Sequence, residues 1–480
     1  MNDKLIINQK SVRFFLLFLF LLAAGSTVAQ KKVLTLEESI NTALKNNTEI
    51  QVAVMNVKKS DAAVSEAFGY ALPSVDLSAQ FSHFLKKPKT AFPDFEAMLT
   101  NATYSILFAD SVLPRDDSKF KPMKTSLQSF AQTNSYETSV QVTQTLFNSA
   151  VLRGIGASKI YSDLSKEELK RTILSTVLGV KKAFYGVLLT KQMNEITKAS
   201  YLNAQENFKT VKAAYEQGFV SEFDLLQAEV RVENIRPQVL QVDNALQTAL
   251  DGFKILIGMN QTDEVDVTGE LSYKKYNLPD EIASVEEALK SNYGLKSYSL
   301  KIDVDEAFID LDRSEYWPSL YAFGNYSYAG SSDDFKFQNY SSAIVGLTFS
   351  MNLFNGMRTV NKVQQSEIAL DQSTQQFRQM KEYISMQVKA KLLEIKKVES
   401  LLEAQERNVT LAEKAYSISV TRYKEGTGSQ IEVQNADIAL QQARVNRLQS
   451  IYEYVVATSE LDELLGKSDG EYFSLFEFED

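Results

Sequence analysis

Apolar and polar residues along this chain follow two periods, and the periods alternate in a fixed order. Over 150–216 and 356–423 the apolar positions recur at helical spacing. In the first stretch Leu164, Leu169, Ile173, Val177, Val180, Phe184 and Val187 fall on one stripe, as in a helix with one buried face. Neither stretch contains proline, and both are rich in Ala, Leu, Lys, Glu and Gln. At 1.5 Å per residue each helix would be roughly 100 Å long, against ~11–12 residues for an average globular helix. Shorter helices are expected over 35–71, 220–257, 281–316 and 428–466. The first and third end beside Pro73 and Pro318, as helices tend to, and Pro237 should kink the second. Each short stretch is about half a long one, so two stacked end to end match one long helix in an antiparallel pairing.

Elsewhere the period is two. Val75, Leu77, Ala79 and Phe81 oppose Ser74, Asp76, Ser78, Gln80 and Ser82. Within 139–147, Val140, Val142 and Leu146 oppose Ser139, Gln141, Thr143 and Thr145; within 346–353, Leu347, Phe349, Met351 and Leu353 oppose Gly346, Thr348, Ser350 and Asn352. A fourth strand, 320–328, is aromatic on both faces, which leaves its register open. Segments of about 10 residues, apolar on one side and polar on the other, suit a membrane barrel with a wet lumen. A half-buried soluble sheet produces the same alternation.

The two halves repeat this plan. Ser39 to Asn47, with Ala43-Leu44-Lys45 at its centre, aligns with Ser284 to Asn292 at an offset of 245, and the same offset carries Pro73 onto Pro318. Leu146-Phe147-Asn148 aligns with Leu353-Phe354-Asn355 at 207, and Tyr215-Glu-Gln-Gly218 with Tyr423-Lys-Glu-Gly426 at 208. The drop of 38 between those points assigns the first half a longer insertion, and duplication is the expected origin. The resulting organisation is a first repeat over 30–258, a linker over 259–280, a second repeat over 281–466 and a tail over 467–480.

The N-terminus changes the compartment. Lys4, Lys10 and Arg13 precede an 11-residue apolar run, Phe14–Ala24, and Thr27-Val28-Ala29 presents small residues for cleavage. This pattern predicts a secretory signal peptide over 1–29, and the run is short of the ~20 apolar residues of a spanning helix. Its removal takes away three positive charges and one negative, moving the net charge from −10 to −12. No later segment reads as a spanning helix, so membrane insertion would have to use strands. An acidic chain of this kind is a poor fit to nucleic acid. With no Cys and a single histidine, His83, the chain lacks the parts for thiolate metal sites, disulfides, cysteine nucleophiles or a Ser-His-Asp triad. No enzyme activity, metal or cofactor is expected.

Four strands cannot close a membrane barrel, because single-chain barrels begin at about eight strands and lipid does not tolerate open edges. Copies must therefore combine. Two copies would give eight strands and three would give twelve; eight fill their interior with side chains, so a conducting pore favours twelve or more.

With the repeat, the Ala43-Leu44-Lys45-Asn-Asn47 segment, the Leu-Phe-Asn start of each long helix and the Tyr-x-x-Gly-x-x-Ser turns on the page, the chain resembles the TolC-type outer-membrane factors of multidrug efflux pumps and type I secretion. The resemblance covers nearly the whole chain after 29. It implies a homotrimer with a 12-stranded β-barrel in outer-membrane lipid and a periplasmic α-helical barrel. It further implies a girdle contributed by 259–280 and 467–480, and partners in a periplasmic adaptor and an inner-membrane efflux transporter or ABC exporter.

The helical turns at Gly218 and Gly426 would form the periplasmic tips. Glycine there suits a left-handed exit from a helix, and Ser221 and Ser429 are placed to cap the next helices, with Asp224 and Glu432 at capping-box spacing. The resemblance adds gate roles. An acid at Glu432 would face the lumen, with Asn435 standing where some relatives carry a second acid. Tyr423 and Asp224 would form a resting-state lock between hairpins, and that lock's arginine would fall at Gly428 and so be missing. Residues 84–135, carrying Lys86, Lys87, Lys89, Asp116 and Asp117 among aromatics, are expected as a long extracellular loop. Trp317 and Tyr316 suit either a membrane–water interface or packing under the strand that follows. Two other classes compete with the duct: a non-conducting periplasmic or surface coiled-coil scaffold, and a hydrolase built on paired carboxylates, for which no pairing can be read.

Overall fold

The computed structural model describes residues 31–467 and 471–476. The expected signal peptide lies outside the described residues, as do parts of the tail. In chain order the first half contains β1 (Lys32–Leu34), α1 (Leu36–Asn46), α2 (Thr48–Gly69), β2 (Ser74–His83), β3 (Thr90–Pro93), α3 (Phe95–Ala109), β4 (Thr125–Gln128), β5 (Asn134–Asn148), α4 (Ser149–Glu216) and α5 (Glu222–Leu256). The second contains β6 (Val265–Val267), α6 (Glu281–Ser291), α7 (Tyr293–Arg313), β7 (Ser319–Ser332), β8 (Gln338–Ser350), α8 (Arg358–Lys424), α9 (Gln430–Leu464) and the short α10 (Glu471–Ser474). The chain divides into two compact units that are not sequence halves. One comprises the part up to Asp61, Ile160–Asp305 and everything from Ala369; the other comprises Ala62–Lys159 and Glu306–Ile368.

The first unit is helical. Every residue of the apolar stripe read in α4 is buried, and from Leu169 to Val187 the stripe joins one core with Val388, Ile395, Val398 and Leu402 of α8, Ile451 and Leu461 of α9, and Ile40 and Leu44 of α1. Each such side chain contributes about 1.5–3 kcal/mol by leaving water. One window of α4 is apolar and long enough by composition to cross a membrane, contrary to the sequence expectation; half of it is buried inside the protein, so packing explains its apolarity. The helix containing Pro237 runs unbroken from Glu222 to Leu256.

Each expected short helix over 35–71 and 281–316 is in fact two helices. The breaks fall at Asn47 and Asn292, both nearly fully buried with extended backbone. The cause is the same side chain used twice. Asn47 Oδ1 accepts from the amides of Glu49 (2.8 Å) and Ile50 (3.2 Å), starting α2, while its Nδ2 donates to the Leu256 carbonyl at the end of α5 (2.7 Å). Asn292 accepts from the Leu295 amide (3.1 Å) and donates to the Leu464 carbonyl at the end of α9 (3.1 Å). One residue thus satisfies orphan donors of one helix and an orphan acceptor of another. Gly258 and Gly466, at φ 70° and 65°, turn the chain away just beyond, against the Asn46 and Ser291 carbonyls.

The linker is laid on the helices of the same unit. β6 pairs in parallel with β1, and Asp266 is held by Lys31 (3.1 Å) and Lys191 (2.9 Å). Burial pushes the Asp266 carboxyl up, but the two lysines and the Val267 amide outweigh it and hold the group below its ordinary range. Tyr273 donates to Glu399 (3.0 Å), and Tyr276 to Asp462 (2.6 Å). In the tail, Phe473 packs on Tyr293 at 5.5 Å between ring centroids.

In the second unit the four strands form one antiparallel sheet in the order β2-β5-β7-β8, so β2 and β8 are both edges. Pro73 and Pro318 immediately precede β2 and β7. The register settles the strand that the sequence left open. Leu77 opposes Val140, which opposes Tyr326, which opposes Ala343; Val75 leads likewise through Val142 and Gly324 to Val345. Tyr326 and Tyr328 therefore belong to the apolar face, and Phe323 and Asn325 to the other. Among the described residues nothing covers that apolar face: Leu77 is 73% exposed and Val345 88%. Opposite it, serines pair across strands, Ser78 with Ser139 and Ser327 with Ser342, each at 2.8 Å.

Two details correct the sequence reading. The last strand is Gln338–Ser350 rather than 346–353; Met351–Leu353 belong to the link to α8, in which Gly356 (φ 70°) and Met357 (φ 64°) take left-handed backbone. The first Leu-Phe-Asn runs straight from strand into helix, with Asn148 Oδ1 accepting from the Ala150 amide (2.9 Å). The insertion 84–135 is folded, with the β3–β4 hairpin around α3. It is tied to the β7–β8 turn through Asp333, which pairs with Lys87 and accepts from the amide (2.8 Å) and hydroxyl (2.7 Å) of Thr133. Lys87 foremost, then Thr133, hold the Asp333 carboxyl far below its ordinary range. His83 Nδ1 lies 2.7 Å from Oδ1 of the buried Asn134, a pairing within the sheet.

Candidate functional site

The residues singled out at the helical turns all lie in the first unit, at the ends of α4/α5 and α8/α9. Gly218 (φ 75°) and Gly426 (φ 72°) occupy the left-handed region that the sequence reading required. Their turns close alike: the Gly218 amide donates to the Tyr215 carbonyl (2.8 Å) and the Phe219 amide to Ala214 (2.9 Å), as Gly426 does to Tyr423 (3.1 Å) and Thr427 to Arg422 (2.9 Å).

The helices that follow start differently. Ser221 and Asp224 make a reciprocal capping box: Ser221 Oγ accepts from the Asp224 amide (3.2 Å), and Asp224 Oδ2 accepts from the Ser221 amide (3.2 Å) and hydroxyl (2.6 Å). Ser429 caps the Glu432 amide (3.3 Å), but the Glu432 carboxylate turns instead to Arg422, whose Nη1 lies 3.3 Å away. Arg422 Nη2 also donates to the Thr427 carbonyl (3.1 Å). A guanidinium is thus present at this turn, supplied by Arg422 rather than by position 428. Gly428 lets the turn pack close to the end of α8, since a Cβ there would lie 3.0 Å from the Arg422 Cβ and 3.2 Å from the Tyr423 amide nitrogen.

Tyr423 and Asp224 are neighbours across the two hairpins. Burial pushes the Tyr423 hydroxyl up, and the Asp224 carboxylate adds to the shift. The Asp224 oxygen that accepts hydrogen bonds is occupied by Ser221. Asn435 is exposed, one turn along α9 from Glu432.

Further along both hairpins lies a group that sequence reasoning missed. Arg231 Nη2 of α5 donates to Asp437 Oδ2 of α9 at 2.7 Å, with both side chains largely buried (14% and 17% exposed). Gln441 Nε2 donates to the same oxygen (2.9 Å), Ser200 of α4 lies 3.5 Å from it, and Gln441 also bonds Ser200. Tyr416 of α8 has its hydroxyl pushed up by burial and then by Asp437. A crevice of about 800 Å³ opens beside the group, lined also by Glu195, Glu413, Arg444 and Arg447. Arg231 and Asp437 are 206 residues apart, so no spacing along the chain announces them. Among the described residues there is no cluster able to hold a metal ion.

Comparison with known proteins agrees with this architecture. The family model described as "Outer membrane efflux protein" matches residues 115–258 and 284–467. The outer membrane protein TolC of Vibrio cholerae is 21% identical over 294 residues, covering 60% of this chain and 67% of that protein. TolC of Salmonella enteritidis is 22% identical over 349 residues, covering 69% and 70%. Among solved structures, the Campylobacter jejuni CmeC outer membrane channel superposes with a TM-score of 0.70 at 18% identity, covering 90% of this chain and 85% of CmeC. The last likeness shows the fold. The family match spans most of the chain and both repeats, and the chain therefore belongs to the outer membrane efflux protein family.

Proposed function

We propose that this outer-membrane protein is the passive exit duct of a tripartite efflux pump or type I secretion system. Three copies share one barrel, each giving four strands, and their long helices enclose a tunnel through the periplasm. The observation that carries this reading is the sheet of the second unit. Its two edge strands are unpaired and its apolar face is exposed across all four strands, so a lone copy would leave backbone groups unsatisfied in lipid. Three times four strands closes a barrel wide enough to conduct. A periplasmic adaptor and an inner-membrane transporter would supply recognition and energy. The linker 259–280 and the tail 467–480 would girdle the tunnel, a role supported by the bonds of Tyr273 and Tyr276 to helices of the second repeat. Membrane fractionation, unheated gel electrophoresis and planar-bilayer recording test the reading together. An SDS-resistant trimer from the outer membrane that conducts current is expected; a soluble monomer, or a scaffold without conductance, overturns it.

Opening would be a population shift in which adaptor binding favours separated hairpins. Tyr423 and Asp224 would stabilise the closed arrangement, with Glu432 and Asn435 setting the charge at the constriction. Tyr423→Phe combined with Asp224→Ala is expected to raise single-channel conductance. Ser221→Ala is the control: it removes the same cap, costing about 1 kcal/mol, but leaves the Asp224 charge beside Tyr423. Unchanged conductance in the double variant, or an equal rise in the control, removes the lock.

A further inference from the structure

We propose that Asp437 and Arg231, with Ser200 and Gln441, form a polar clasp that fastens the two hairpins of one subunit to each other and sets how readily the duct opens. The inference rests on the exit-duct reading and adds gate residues separate from Tyr423 and Asp224. Beyond the main core, each hairpin is otherwise held to itself. Ala204, Val232 and Ile235 pack within α4/α5, where Lys198 (2.7 Å) and Asn194 (2.8 Å) bond Asp243. Arg444 pairs with Glu413 (2.8 Å) and Arg447 with Glu406 (3.5 Å) within α8/α9. Among the described residues, the hydrogen bonds and ion pairs that join one hairpin to the other in this stretch all end on Asp437 or Ser200.

The chemistry suits a two-state element. A carboxylate with three donors around one oxygen, largely out of water, keeps them only while α4, α5 and α9 stay together. Separating the hairpins takes Arg231 from Asp437, and each charge then needs water that the closed packing excludes. The adjoining crevice carries Glu195, Glu413, Arg444 and Arg447 among apolar side chains such as Ile196 and Leu440, so water entering it meets polar partners beside the clasp. The clasp therefore favours the closed state without making the open one inaccessible.

The test uses full-length trimers in planar bilayers. Asp437→Asn and Arg231→Gln are each expected to raise the open-to-closed ratio by about tenfold or more. The double variant should exceed neither single variant appreciably, because both remove the same pair. Gln441→Ala, which leaves the ion pair in place, should give a smaller rise and remains informative if a charge variant fails to assemble. Wild-type gating in trimers of normal mobility, or additive effects of the two charge variants, overturns the clasp while leaving the duct intact. A wild-type protein that passes no current overturns the duct and the clasp with it.

Discussion

Val345→Arg is expected to keep the protein out of the outer membrane. Val345 lies within β8 on the face that carries Leu77, Val140 and Tyr326, and it is almost bare in the isolated chain. A cation near the middle of a lipid-facing strand costs about 2–4 kcal/mol, and the assembled barrel would bear it three times. The matching change on the other face, Thr348→Arg, meets water in the lumen and should leave assembly intact while altering conductance. Fractionation and unheated gels of the two variants side by side provide the measurement. Equal insertion of both would mean that the apolar face does not meet lipid.

Gly258→Ala should be the most damaging of the small changes in the helical unit. The residue sits at φ 70°, and a Cβ would lie 2.3 Å from the Asn46 carbonyl oxygen. Left-handed backbone alone costs an L-residue about 1–2 kcal/mol, and the clash must also displace main chain rather than a flexible side-chain end. A loss of about 3 kcal/mol or more is expected, read as a lower melting temperature of the trimer in detergent. Asn47→Ala should lose about 1–3 kcal/mol by leaving the Leu256 carbonyl and the first amides of α2 unpaired. Gly466→Ala and Asn292→Ala should behave alike, since the second repeat uses the same construction at Ser291 and Leu464. Stability close to wild type in Gly258→Ala would show that the turn relaxes freely.

The long helices were legible because their apolar stripe is a local property of sequence, and the residues named on it are buried. The Asn47 and Asn292 segments were legible as a repeat but not as helix breaks. Asparagine interrupts the helix by reaching carbonyls at Leu256 and Leu464, 209 and 172 residues away, which periodicity does not register. Strand β7 was ambiguous for a related reason: aromatics occupy both faces, and only pairing with β5 and β8 assigns them. The insertion 84–135 passed as a loop because its hairpin strands have only four residues each and the residues of α3 form no clear apolar stripe. The glycine-and-serine spacing marks two helical turns, and the chain does turn there between α4 and α5 and between α8 and α9. The Arg422–Glu432 pair was not legible because its partners lie on either side of a turn whose folding brings them together, and the Arg231–Asp437 pair because its partners belong to different repeats.

The claim beneath all of this is that strands β2 and β8 are paired in the working protein, each with another copy of the chain. Because the chain contains no cysteine, introduced thiols give an unambiguous readout. Within one open sheet β2 and β8 are separated by two strands, about 14 Å, beyond the reach of a disulfide. Ala79→Cys on β2, combined in turn with Ser341→Cys, Ala343→Cys or Val345→Cys on β8, should give at least one register that oxidises in the outer membrane to a covalent species of three chains. Chains that remain single in every combination, from membranes where the protein is inserted, would contradict the shared barrel.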